Sequence, residues 1–368
     1  MLAETILPND HVDDRRASRV DRLTSFRTRM DPLADETVLA LAAYPDGRGR
    51  QMFNSALNDG IDVVADAPES LRSLFAQVGT LPLWVEWDEL NLGGATTLRC
   101  GILSILALMC YALPLAYASP EGNKPLAHSG RLVNYAHRRI TETGRFILET
   151  CHRDGLRRWS SGFKATVTVR IMHAHVRRTL LRSGTWRTDT WGAPINQVDM
   201  AGTTLLLSVM VLTALRRMGV HFSSEEAHAV IQLWRYSGYL LGVDEELLCA
   251  SEPEARRLAE LACFSTNEPD QHSRELLDAL FETRFQTPIG GLRWPMATYR
   301  GLARELVGDD MADRLGLPRP WHGPLLLAGV RTVLPMLELT RRVVPGMNAL
   351  ATAAGARLWS QFLESAQC

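Results

Sequence analysis

Residues 167–178 read VTVRIMHAHVRR, and whether they coil or extend decides both the fold class and the chemistry open to the chain. On a helix of about 3.6 residues per turn, Val169, His173 and Val176 share one face, with Arg170 and Arg177 flanking the histidine at i−3 and i+4. His175 then lies roughly 200° around the axis from His173, so the two imidazoles cannot reach one metal. On a strand they can, and the alternation of Val167, Val169 and Ile171 keeps that reading open, because β-branched residues favour strands. Upstream, Ser160-Ser161-Gly162 is a helix start signal and favours a helix over 164–182.

The same punctuation recurs on both sides. Residues 71–78 form a short helical pattern stopped by Gly79 and Pro82, and 131–151 carries apolar residues at Leu132, Ala136, Ile140, Phe146 and Ile147. In 196–218, Asn196 is placed to cap with Asp199 three residues on, and Gly219 is the stop. Ser223-Ser224-Glu225-Glu226 offers a second capping box, for a helix running to about 241. Further helical patterns cover 254–264, 272–285, 296–307 and 329–343. Strand-like alternation is rare and no internal repeat is visible. The expectation is an all-α fold with one large helical domain over 36–368. Residues 1–35, charged and aperiodic, are expected to be a mobile or loosely packed segment.

Composition narrows the function. With 46% hydrophobic and 22% charged residues and a formal net charge of −1, the chain can bury a core but has no field to attract nucleic acid. Lys124 and Lys164 are the only lysines, so any role that needs a lysine has two candidates. The six cysteines contain no CxxC pair, which speaks against a zinc cage or a disulfide framework. Leu148 stands where a CxxCH motif ending at Cys151-His152 would need its first cysteine, so covalent haem attachment is excluded. No apolar run follows the N-terminal charges, and a cytoplasmic location is expected. Residues 101–118 are apolar throughout, but Pro114 and the polar sequence on both sides favour a buried core helix over an integral membrane span. Peripheral membrane contact stays open.

Three stretches place polar groups where chemistry could use them. His173 on a helix is either a core histidine satisfied by hydrogen bonds or an Nε2 ligand to haem iron. Gly202 costs a helix interior about 1 kcal/mol, which points to close approach of something flat or of another helix. Beside it, Thr203 and Thr204 supply hydroxyls that can instead bond back to their own backbone. Arg139, Glu142 and Thr143 lie close together in 131–143, a run whose ordinary fate is a solvated, charge-paired face.

Taken in order, Leu81-Pro82-Leu83-Trp84-Val85, Gly130-Arg131-Leu132 leading to Arg139 and Thr143, Val169-Arg170-Ile171-Met172-His173-Ala174, Pro194-Ile195-Asn196-Gln197 and Tyr239–Val243 (YLLGV) resemble the MpaB-type oxygenase family, which includes the latex-clearing (rubber oxygenase) proteins. The resemblance is strongest over roughly 75–250. It implies a helical domain enclosing a non-covalent haem b, whose iron is bound by the histidine of an RxxHA motif: His173, with Arg170 beside it to orient the haem or its ligand shell. It further implies that Thr203 or Thr204, next to Gly202, lines the haem helix, and that Arg139, Glu142 and Thr143 shape the distal side. In rubber-cleaving members a lysine precedes that last threonine; here it is Glu142, which can bond an iron-bound water or move a proton but cannot be a neutral nitrogen ligand. The expected activity is therefore oxidation, by O2 or peroxide, of a smaller apolar or natural-product-like molecule. A haem-binding sensor or carrier without turnover and a haem-free lipid-binding helical protein are the alternatives.

Overall fold

Helix ends form where the sequence supplies partners for the backbone donors of the first turn. Ser160 accepts from the Phe163 N–H at 3.3 Å. Asn196 accepts from the Val198 and Asp199 N–H groups while its own N–H donates to the Asp199 carboxylate, and Ser223 and Glu226 make the same reciprocal box. Gly219 and Gly242, at φ +101 and +79, take the left-handed conformation that ends the helices before them.

The computed structural model of the chain describes residues 14–128, 136–264, 267–282 and 295–365, and all regular structure among them is helical. The strand reading of 167–178 therefore falls. In chain order the helices are α1 (Asp14–Ser25), α2 (Pro32–Leu41), α3 (Arg48–Asp59), α4 (Glu69–Gly79), α5 (Trp87–Arg99), α6 (Ile102–Ala107), α7 (Leu113–Tyr117), α8 (Pro120–His128), α9 (Ala136–Cys151) and α10 (Ser161–Arg182). They continue with α11 (Thr188–Trp191), α12 (Gln197–Leu205), α13 (Val211–Arg217), α14 (Ser224–Leu240), α15 (Glu252–Phe264), α16 (Gln271–Glu282), α17 (Met296–Val307), α18 (Asp309–Arg314), α19 (His322–Val343) and α20 (Met347–Ser365).

Residues 14–35 are not the loose tail that their charge suggested. Leu23 and Phe26 are buried, and the Arg29 guanidinium lies 4.2 Å from the Phe26 ring centroid. The charges that look aperiodic in sequence are pairing groups whose partners lie far along the chain: Arg22 meets Glu246, Asp31 meets Arg170, and Asp35 meets Arg177. Residues 1–13, also assigned to that tail, lie outside the described residues.

Two expected helices are continuous but not uniformly α. After a bend at Gly101, α6 and α7 are joined by a π-helical segment, Leu108–Ala112, and α12 and α13 by another, Leu206–Met210. The two π segments pack on each other. Widened turns of this kind are hard to see in a sequence because they leave the apolar pattern intact. Residues 104–112 are buried, as the core-helix reading of 101–118 requires. Among the described residues one helix, Gln197–Arg217, is long and apolar enough to cross a membrane, and 67% of its apolar window is buried inside the protein.

Packing positions the later site. α10 lies against α2, α9 and α14, and α12 lies against α14 from another side. α8 touches α10 and also brings Gly122 up to Asp199 on α12. The surroundings of α10 and α12 are thus linked twice, through α14 and through α8.

Candidate functional site

Along α10 the buried residues Phe163, Thr166, Val167, Arg170, Ile171, Ala174 and Arg177 form one arc. Met172 and His175 face solvent. Between the two arcs, Val169, His173 and Val176 are all half-buried, so the face inferred from spacing exists and places one imidazole between two valines on the flank of the helix. No group of three or more His, Cys, Asp or Glu side chains suited to a metal ion occurs among the described residues. A single imidazole flanked on its helix by two valines suits one axial bond to a haem iron better than it suits a multidentate metal cage.

Arg170, three residues earlier, is committed elsewhere. Its guanidinium grips Asp31 with two hydrogen bonds of 2.7 and 3.0 Å, donates to the Gln77 side chain at 2.9 Å and reaches the Leu240 carbonyl at 3.4 Å. Four of its five N–H donors are thereby used. Arg170 and Asp31 are 2% and 3% exposed, and such a buried bidentate pair is strongly directional. The expected direct orientation of a haem by Arg170 gives way to an indirect role, in which it fixes the helix that carries His173.

The same cluster gathers most of the sequence motifs. The Gln197 side chain donates to the Met30 and Gly242 carbonyls and accepts from the Asp244 N–H. The Tyr239 hydroxyl donates to the Gln77 carbonyl at 3.0 Å. Gly242 completes the arrangement: a Cβ there would stand 2.5 Å from the Asp31 carboxylate and 2.6 Å from Arg170 Nε. The RxxHA, PINQ and YLLGV motifs therefore meet in a polar joint. Two turns on along α10, Arg177 Nε donates to Asp35 at 2.7 Å; burial pushes the Asp35 carboxyl up although Arg177 opposes the shift.

On α12 the two threonines diverge. Thr204 is buried, bonded to the Ala201 carbonyl at 2.7 Å, with its methyl 2.9 Å from where a Cβ on Gly238 of α14 would stand. Thr203 is exposed on the other side and bonds back to the Asp199 carbonyl at 3.2 Å. Just before them, Gly202 has no neighbour within 4 Å of the Cβ it lacks. Another helix is therefore not what keeps Gly202 small, and of the two threonines only Thr203 is open to a ligand. Asp199 is on the same side, one turn earlier, and burial raises its carboxyl to about 6, against the pull of the Asn196 N–H and Arg27 and with help from Glu121.

On α9, Thr143 is half-buried and Glu142 exposed, while the Arg139 side chain lies outside the described residues, as do residues 130–132 of the motif before it. α9 and α10 form an antiparallel hairpin closed by the Ser161 hydroxyl donating to Glu149, which carries the 142–143 turn toward the middle of α10. Lys124 does not replace the missing distal lysine, since its ammonium is tied to Asp270 at 2.8 Å. The sequence reading missed Asp31 and Gln77 as the anchors of α10 and gave Asp199 only a capping role.

Gly202 thus leaves an open side on α12, and His173 stands between two valines on α10, which packs on α14 as α12 does. A family model described as ER-bound oxygenase mpaB/B′/Rubber oxygenase, catalytic domain, matches residues 93–336. The rubber oxygenase of Streptomyces sp. (strain K30) is 23% identical over 280 residues, which span 74% of this chain and 66% of that protein. In fold, the chain resembles the solved structure of latex clearing protein LCP in the closed state, with a TM-score of 0.68 over 91% of each chain at 20% identity.

Proposed function

The chain belongs to the family of mpaB/B′ and rubber oxygenase catalytic domains, and on that premise we propose that it is a haem b-dependent oxygenase or oxidase of a small apolar, natural-product-like molecule. The observation that carries this reading is the half-buried His173 between Val169 and Val176, an imidazole neither packed into the core nor turned to solvent. His173 would bind the iron through Nε2, and the two valines would pack beside it on the same side of the macrocycle. Arg170 holds the helix through Asp31, so that the imidazole is presented at a fixed angle. Thr203 and the free side of Gly202 would line the haem from α12. When bound, the haem would supply the oxidising power for reaction with O2 or peroxide.

The chain's remaining part is access and protons. Glu142 at the family's lysine position is exposed, so it can exchange protons with solvent and deliver one to the distal side. That exchange of a cation for a carboxylate favours a small substrate over a polymer such as the rubber named for the Streptomyces relative.

The test is oxygen uptake. Purified protein reconstituted with haemin should consume O2, or turn over peroxide, only when a small unsaturated apolar substrate is added. A haem-bearing protein that consumes neither oxidant with any member of a terpenoid and polyketide panel would be a carrier or sensor. A protein that takes up no haemin would leave only the haem-free reading.

A further inference from the structure

α8 is short, and its interior Pro125 cannot donate to the Glu121 carbonyl, so its own backbone ladder is incomplete. One side of it is tied to α16. The Asn123 side chain donates to the Ser273 hydroxyl at 3.3 Å, Lys124 pairs with Asp270 at 2.8 Å, and Asn267, just ahead of α16, donates to Glu121 Oε1. Its other side meets α10 and α12, the helices that carry His173 and Thr203.

What α8 and α12 bring together is a pair of carboxyls. Glu121 is 8% exposed, and its second oxygen, Oε2, is buried with no hydrogen-bond partner among the described residues. A Cβ on the next residue, Gly122, would stand 3.8 Å from Asp199 Oδ1, so the first turn of α8 rests on the first turn of α12. The other Asp199 oxygen, Oδ2, accepts from the Asn196 N–H at 3.1 Å. Among the described residues, the charged groups that act on Asp199 are Arg27, from the turn after α1, and Glu121. Burial is the largest influence and Glu121 reinforces it, which is why the Asp199 carboxyl rises to about 6 although Asn196 and Arg27 oppose the shift. Two carboxylates so placed ionise together only at a cost, because each charge is deprived of water and repels the other.

The two helices differ in how they are held. α12 is capped by its box and pinned through Gln197 to the Met30 and Gly242 carbonyls, whereas α8 hangs on α16. Repulsion between the carboxyls therefore displaces α8 rather than α12. We propose that α8 is a lid across α10 and α12 that proton loss releases: with one proton between Glu121 and Asp199 it rests on α12, and with both ionised it swings away about its α16 bonds. The proton passes to solvent as the helix lifts. The release is a property of the fold and does not depend on haem; that it opens the side of Thr203 and Gly202 to substrate rests on the haem reading.

Hydrogen exchange followed by mass spectrometry, on the full chain as purified and corrected for the intrinsic pH dependence of amide exchange, reads the lid directly. If lifting returns Asp199 from about 6 to its ordinary 3.8, peptides within 120–128 should be about tenfold more open at pH 8 than at pH 5. α14 should keep the same protection at both. Asp199→Asn should abolish the difference, and Glu121→Gln should reduce it. His272→Gln, which alters the imidazole 3.4 Å from Lys124 on the α16 side, should leave it in place. Equal α8 protection at the two pH values in the wild type would overturn the proposal. So would a difference that survives Asp199→Asn or disappears with His272→Gln, or one that α14 shares equally, which would be general destabilisation.

Discussion

Arg170 and His173 sit three residues apart on α10, and the protein uses them in opposite ways. Arg170 is enclosed, and four of its donors are spent on Asp31, Gln77 and Leu240. His173 is half-buried between two valines. α12 repeats the contrast in adjacent residues, with Thr204 locked against α14 while Thr203 and Gly202 face open space. A family motif therefore mixes two kinds of residue. Some hold the frame and others face whatever the frame is built to hold, and only contacts tell them apart.

The largest effects should come from the frame. Arg170→Ala leaves Asp31 charged and buried without its partner, and should cost about 3–5 kcal/mol, read as a drop in the urea midpoint. His173→Ala should cost under about 1 kcal/mol in the haem-free protein. Equal losses for the two would break the comparison. Gly242→Ala forces a side chain into a left-handed position and against the Asp31–Arg170 pair, for a cost of about 2–3 kcal/mol in the same measurement.

Asp199 gives a pH-dependent contrast of intermediate size. Its carboxyl is raised in the folded protein, chiefly by burial, to about 6, above its unfolded value. Its contribution to stability is therefore full below about pH 4 and is lost as pH rises through 6, a change on the order of 2 kcal/mol. Asp199→Asn keeps an acceptor for the Asn196 N–H and should flatten this loss. Denaturation at pH 4 and pH 8 should show the variant gaining on the wild type chiefly at the higher pH. The smallest effect sharpens the comparison most. Gly202→Ala has room for its methyl and should stabilise the haem-free protein by up to about 1 kcal/mol, yet lower haem content if the macrocycle lies along α12. Unchanged haem content would move the cofactor away from that face.

Much of this was legible in the sequence. The capping boxes at Asn196/Asp199 and Ser223/Glu226, the glycine stops and the shared face of Val169, His173 and Val176 depend on spacing within two turns, which sequence records directly. The Asp31–Arg170 pair joins residues 139 positions apart, and nothing local in 1–35 announces it, so residues 14–35, which are structured, read as part of a loose tail. Thr203 and Thr204 are chemically the same, and only the approach of Gly238 to one of them separates their roles. The exposure of Glu142 follows the ordinary fate of its charge run, so here the charge pattern foretold what the resemblance to the family did not.

The central claim is that the imidazole of His173 is the protein's bond to a haem iron. Absorption spectra of wild type and His173→Ala, each purified and then titrated with haemin, test it directly. The wild type should show a Soret band and bind one haem per chain by pyridine haemochrome assay. The variant should keep its helical circular dichroism and lose the band, with partial recovery when free imidazole is added. A variant that binds haem with the wild-type spectrum and stoichiometry would contradict the claim, as would a wild type that binds none.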